Sequence, residues 1–352
     1  MSLPKQNRVR SWSYISSART LLRVSLAITC LLLLVPYFLS FREKLNPEYM
    51  LSRLIPKAKQ QVRKNPDNKL DDVAKIHNFA MSAFVLKDYD TFDRSIESLT
   101  DLAYEACDAK IYENSKAVFE RLSHIGIVTM EDPMAPHQVV MALVNICTRF
   151  LEKKLARPIA QASETLYYIG EVAIKKRLER ISGEVISNLG SISSQALLVE
   201  NNITVDINDN LGELGHLAVK NDMEDTVDQC SDILGNAGCN AISKGTDKEQ
   251  VAFRATFCIG EVGVAAVGKG MKKATRSVEN SLGAIGVNAA AKGFGDAAWR
   301  AAYDLGEVGV ATVEKGWDDV ANFFAPTLGD IGKLAAQNNL FRAAREAALA
   351  FI

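Results

Sequence analysis

A pentad of large and small residues returns about every 23 residues over most of this chain, and a fixed period of that size leaves stacked, near-identical units as the architecture. Its clearest form is Leu305-Gly306-Glu307-Val308-Gly309, and similar pentads begin at Ile259, Leu282 and Leu328. With the first small position as marker, the series runs Gly170, Gly190, Gly212, Gly235, Gly260, Gly283, Gly306 and Gly329. Fainter copies place His77, Thr100, Ser123 and Val144 in the same slot, so 12 units lie between residues 77 and 329.

Each unit reads as one helix. Ala274, Val278, Leu282, Ile285 and Ala289 follow steps of four, four, three and four, the apolar stripe of an amphipathic helix. Around Gly306, Asp296 is the expected N-cap and Gly316 the stop, giving a helix of about 18 residues. The connectors Lys292-Gly293-Phe294-Gly295, Lys315-Gly316 and Asn338-Asn339 are short, which predicts antiparallel neighbours. Alternate units carry Glu171, Glu213, Glu261 and Glu307 after the marker, whereas those between carry Ser191, Asn236, Ala284 and Asp330. The true repeat is therefore a helical hairpin of about 46 residues. The predicted fold is all-α: an α-solenoid of antiparallel hairpins over residues 66–339, closed by a capping helix at 340–352.

A glycine inside a helix costs about 1 kcal/mol relative to alanine. Two per helix, repeated along the chain, need a compensating gain, and close approach of a neighbouring helix supplies it. Glycines at i and i+3 leave a bare strip facing the stack, while Glu307 points away from that strip to solvent.

The Leu-Gly-x-Ile/Val-Gly string in a hairpin repeat resembles HEAT-like repeats, and the alanine-rich helices resemble tetratricopeptide repeats, over residues 66–352. The resemblance implies a scaffold that binds proteins or other partners. No functional residue transfers from it, because the apolar pattern here runs on past the string, from Val310 to Val313.

The amino terminus differs in kind. Val24 to Phe41 is an uncharged run of 18 residues, which with Thr20 to Arg23 is long enough to cross a bilayer. Residues 20–41 are expected to be a retained transmembrane helix rather than a cleaved signal peptide or core helix, since Leu39-Ser40-Phe41 makes a poor cleavage site. Residues 1–19 read as a short basic tail and 42–65 as a juxtamembrane linker. There Arg53, Lys57, Lys59, Arg63 and Lys64 either lie along an anionic lipid surface or are simply solvated. Lysine and arginine divide almost evenly across the span, so orientation stays open, with the solenoid placed on the cytoplasmic side. Cys30, Cys107, Cys147, Cys230, Cys239 and Cys258 show no disulfide framework or metal spacing, and Cys147 and Cys258, in or beside repeat slots, read as small packing residues.

The 352 residues are 48% apolar and carry 41 basic and 42 acidic side chains, a net charge of -1. That balance argues against nucleic acid as partner. Gly263 to Lys269 matches most of a phosphate-binding loop, but Gly270 stands where Ser or Thr would bind magnesium, and no strand precedes it. His77, His124, His137 and His216 have no partners at metal-ligand spacing. No catalytic residue, cofactor site or metal site is expected. The candidate partner-binding surface is the row Glu171, Glu213, Glu261 and Glu307 with Arg254 and Arg300, which lie two turns before the last two glutamates. The leading reading is a membrane-tethered, non-catalytic scaffold for a protein partner, and the alternative is a hydrolase-like enzyme with a pocket inside the superhelix. A pore of bilayer-embedded helices is disfavoured by the charges in nearly every unit.

Overall fold

In a computed structural model the described residues are 47–64, 70–132 and 134–350. The predicted tail and transmembrane helix, residues 1–41, lie outside them. The chain divides after Pro56 into two compact units, and the larger, Lys57–Ile352, is built from helices alone among the described residues.

Fourteen helices are described: α1 (Pro47–Lys64), α2 (Asp71–Val85), α3 (Tyr89–Asp108), α4 (Tyr112–Val128), α5 (Ala135–Glu152), α6 (Ala156–Lys175) and α7 (Glu179–Ala196). They continue as α8 (Asn201–Lys220), α9 (Glu224–Lys244), α10 (Glu249–Lys269), α11 (Lys272–Lys292), α12 (Gly295–Glu314), α13 (Asp318–Gln337) and α14 (Phe341–Leu349). From α2 onward each helix packs on its sequence neighbour and again on the helix two places away. This is the signature of hairpins stacked in two layers, one of even-numbered and one of odd-numbered helices. The described chain is a helical-repeat solenoid.

The connectors explain why successive helices reverse. Lys87, Lys110, Lys154, Arg177, Asp222 and Asn339 all take left-handed backbone with φ between 56° and 59°, and Gly270, Gly293 and Gly316 take the same role at φ 86°, 83° and 70°. At Gly316 the amide donates to Val313 O at 2.8 Å, and the next amide, Trp317, reaches back to Thr312 O at 3.1 Å. Those two bonds form the Schellman stop, and the residue after it starts the next helix. This corrects the expected N-cap: α12 is capped at Phe294, after the left-handed Gly293, and Asp296 lies inside its first turn, where its amide donates to Glu249 Oε1 at 3.0 Å. Left-handed backbone costs a non-glycine residue about 1–2 kcal/mol, against about 0.5–1 kcal/mol for glycine's extra unfolded-state entropy. Replacing Lys110, Lys154 and Arg177 together by glycine should therefore stabilise the protein by about 1–2 kcal/mol. A raised urea midpoint would show it, and a lowered one would refute this account of the turns.

Residues 47–64, read from the sequence as linker, form helix α1. Pro47 sits at its first turn, where the missing amide costs nothing. In its second half Ala58 and Val62 are fully buried, Lys59 pairs with Asp101 at 3.4 Å, and Arg63 pairs with Glu105 at 2.5 Å. Two of the five basic residues offered for lipid contact are thus taken by α3.

The repeat glycines have a specific use. A Cβ built on Gly212 would strike Cys258, one on Gly235 would strike Ser281, and one on Gly283 would strike Thr327, each in the same layer one hairpin on. The second glycines behave alike: Gly215 meets Val262, Gly238 meets Ile285 and Gly286 meets Ile331. The working unit is a hexad such as Cys258-Ile-Gly260-Glu-Val262-Gly263. Its first and fifth residues fill the previous hairpin's glycine slots, while its own glycines receive the next hairpin. Gly190 follows the same scheme with Ile233 and Gly306 with Ala350, whereas Gly170 meets Val185 of the next helix first and then Leu214, and Gly329 is exposed.

Helix α10, with the 3-10 turn before it, is long and apolar enough to cross a membrane, over Thr246–Lys269. It lies mid-chain with 61% of that stretch buried, and it packs against α8, α9, α11 and α12 as a core helix does. The phosphate-loop-like string lies wholly within it. Cys147, Cys230 and Cys258 are buried, and burial pushes each thiol up to about 12, so they pack rather than react.

Candidate partner-binding face

The glutamate row sits on the even layer, one residue past each marker. Because the marker turns into the stack, the next position turns outward, and Glu213, Glu261 and Glu307 are exposed while Glu171 is half-buried. Cross-hairpin contacts tie part of the row together. The Tyr167 hydroxyl donates to Glu213 Oε2 at 2.7 Å, and His216 Nε2 lies 3.7 Å from Glu261 Oε2. Glu171 pairs along its own helix with Lys175 at 2.5 Å. Burial, and then the neighbouring Glu213, hold the Tyr167 phenol well above its ordinary range. Asp206 is pushed up by burial, with Asp209 and Glu200 adding like-charge repulsion.

Arg254 and Arg300 behave differently from the expectation. Neither is a free cation on an open face. Arg254 donates from Nε to Asp209 Oδ1 and lies 4.7 Å from the centre of the Phe257 ring. Arg300 lies 4.6 Å from that same ring and 5.2 Å from Tyr303, and its guanidinium meets both oxygens of Asp304, at 2.7 and 2.8 Å. One hairpin on, Arg342 stands 3.4 Å over Trp299, whose Nε1 donates to Glu346 at 3.3 Å. A ladder of rings and guanidiniums thus runs from α8 to α14 along the even layer, each rung spanning one repeat. Arg300 is only 16% exposed at its side chain.

Asp304 is the group that sequence reading missed. It occupies the hexad position held elsewhere by Cys258, Ser281 and Thr327, so its carboxyl is driven against Gly260 and is 3% exposed. Burial pushes it up to about 7 even beside Arg300, with Glu261 and Glu307 adding to the rise.

The odd layer holds two open cavities. One of about 620 Å³ between α9 and α11 is lined by Glu224, Asp228, Lys272, Lys273 and Arg276. Its charges neutralise one another: Lys273 Nζ binds Asp225 at 2.7 Å and Asp228 at 2.8 Å, and Glu224 accepts the Lys273 amide at 2.8 Å. The other, about 460 Å³ between α3 and α5, carries Asp93, Glu97, Asp101 and His137, with His137 held by Glu184 at 2.6 Å. Among the described residues no group of three or more His, Cys, Asp or Glu side chains could hold a metal ion.

No protein-family model matches the chain, and no curated protein does. Seven solved chains match. One is a circular tandem repeat protein with novel repeat topology and enhanced subunit contact surfaces, 15% identical, with a TM-score of 0.42, covering 87% of this chain and 76% of that one.

Proposed function

We propose that this protein is a membrane-tethered, non-catalytic scaffold of HEAT-like type whose even-layer face binds a protein partner. The observation that carries the reading is the glutamate row, in which Glu213, Glu261 and Glu307 reach solvent at one-hairpin intervals. Around it stand Glu164, Asp206 and Asp209, while the nearby arginines are engaged inside the ladder. Acidic side chains with exposed tyrosines, Tyr168 and Tyr303 among them, suit a partner presenting lysine or arginine on a helix or an extended segment. Surface pairs such as Lys175–Glu171 contribute only tenths of a kcal/mol each, so exchanging them for a partner's charges costs little.

The test uses the full chain with a photo-crosslinking residue at Val264, beside the row, or at Asn236 on the odd layer. A partner captured from Val264 and not from Asn236 is the expected result. It should vanish when Glu171, Glu213, Glu261 and Glu307 are all changed to lysine. Equal capture from both layers, or capture indifferent to charge reversal, would return the row to ordinary solvated surface.

The anchor at residues 20–41 rests on its length and on the uncharged run from Val24 to Phe41. The full chain should resist alkaline extraction from membranes, and deletion of residues 20–41 should release it. Extraction of the intact chain would remove the tether from this reading.

A further inference from the structure

At the start of the even layer a different device joins two hairpins. Where the even helices from α6 to α12 carry glycine in the marker slot, α2 carries His77, which is 6% exposed. Its imidazole fills the space that a close helix approach would otherwise use, and α2 and α4 accordingly make the sparsest pairing in that layer. In place of interlocking side chains, His77 Nε2 lies 3.0 Å from Nδ1 of His124 on α4. The His77 Nδ1 lies 3.2 Å from the Asn78 side-chain oxygen.

Those two contacts assign the protons. An amide oxygen only accepts, so Nδ1 of His77 carries a hydrogen and its Nε2 is left with a lone pair. Nδ1–H of His124 then donates to that lone pair. The arrangement holds whether His124 is neutral or fully protonated, because its Nδ1 keeps a hydrogen in both forms. It fails once both rings are protonated, for two N–H groups then face each other.

We propose that the His77–His124 pair is an acid-released clasp between the first two helices of the even layer, closed at neutral pH and opened when both rings are protonated. The charged groups that act on His77 are His124 and Arg121, both on α4, and on its own helix the Asn78 amide supports it. The groove beside His124 carries Lys116 and Glu120 from α4 and Glu164 from α6. Burial, with His124 and Arg121, lowers His77 below the ordinary histidine value of 6.5. A depressed histidine stabilises the fold above its unfolded-state value, and that contribution is lost as pH falls through it.

The experiment is hydrogen exchange of the α2 backbone amides in the full chain between pH 7.5 and 5, corrected for intrinsic rates. Protection of α2 should fall severalfold more than that of α6. His124→Gln, at an exposed position that tolerates change, should weaken α2 at pH 7.5 and remove most of the extra pH dependence. His77→Gln should remove it as well, since glutamine does not titrate. Equal protection of α2 and α6 across the range would overturn the clasp, as would an undiminished pH dependence in His124→Gln. A His77 side-chain titration at or above 6.5 in the native protein would do so independently.

Discussion

Gly263→Ala is expected to destabilise the solenoid by about 3 kcal/mol, and Gly268→Ala, five residues along the same helix, to stabilise it by up to about 1 kcal/mol. The contrast follows from what each new methyl would meet. At Gly263 a Cβ would stand 2.5 Å from Val278 Cγ1 and 2.9 Å from Val308 Cγ2, whereas at Gly268 nothing lies within 4 Å. Both valines are β-branched and fully buried, so neither has a spare rotamer into which to retreat. Relief must come from moving helices: α11 in the same stack of hairpins, and α12 one hairpin on. In a solenoid such damage stays near its source, because each repeat touches only its neighbours. Hydrogen exchange should therefore quicken in α10, α11 and α12 and stay unchanged in α4 to α6. Shortening Val278 to alanine removes the nearer clash, and in the Gly263→Ala background it should recover part of the loss. If Gly263→Ala proved as stable as Gly268→Ala, close helix approach through bare glycine would not be what holds the stack together.

The pentad already sets Gly263 in a repeat slot and leaves Gly268 outside it, but sequence reading stops at what fills that slot. The period, the helical character of each unit and the hairpin alternation are carried by residue spacing along one helix, which a one-dimensional string records directly. Which residue enters which slot is a relation across about one hairpin. The 46-residue offset was legible, but the register that sets Asp304 against Gly260 and Val308 against Gly263 required the coordinates. Arg254 and Arg300 were placed on the even face for the same helical reason as the glutamates. Their capture by Asp209, Phe257 and Asp304 depends on partners one turn or one repeat away. Helix α1 escaped notice because Pro47, Pro56 and the basic residues suggested a linker. The steps from Leu51 to Ile55, Ala58 and Val62, of four, three and four, held the helical signal. Asp296 was misassigned as a cap because the Gly293 turn sets the entry to α12 and Glu249, one hairpin back, accepts the Asp296 amide.

Asp304→Asn is expected to make the protein more stable than wild type at pH 8 and nearly equal to it below about pH 4. Two observations pull against each other here. The contacts with Arg300 at 2.7 and 2.8 Å look like an ion pair, yet the carboxyl is 3% exposed against Gly260 and sits near Glu261 and Glu307. Burial wins, because Arg300 also serves the Phe257 and Tyr303 rings and cannot compensate the full cost of desolvating the carboxylate. With the folded value raised from 3.8 to about 7, the native state keeps a proton that the unfolded chain gives up. The stabilisation is complete below about pH 4 and is lost as pH rises through about 7. At 1.36 kcal/mol for each unit, the ceiling on that loss is about 4 kcal/mol. Asparagine keeps the shape and an oxygen for Arg300 but carries no charge to bury, so urea midpoints of the two proteins should diverge as pH rises. The His77 clasp acts with the opposite sign, yet it is common to both proteins and cancels in their difference. A variant less stable than wild type at pH 8 would mean that Asp304 is held as a carboxylate by its arginine. The same charges also link stability to the outer face. Glu261 and Glu307 help keep Asp304 protonated, so a basic partner that neutralises them should lower its affinity for the proton and release it on binding. Partner affinity measured between pH 6 and 8 should then rise with pH in wild type and lose that slope in Asp304→Asn.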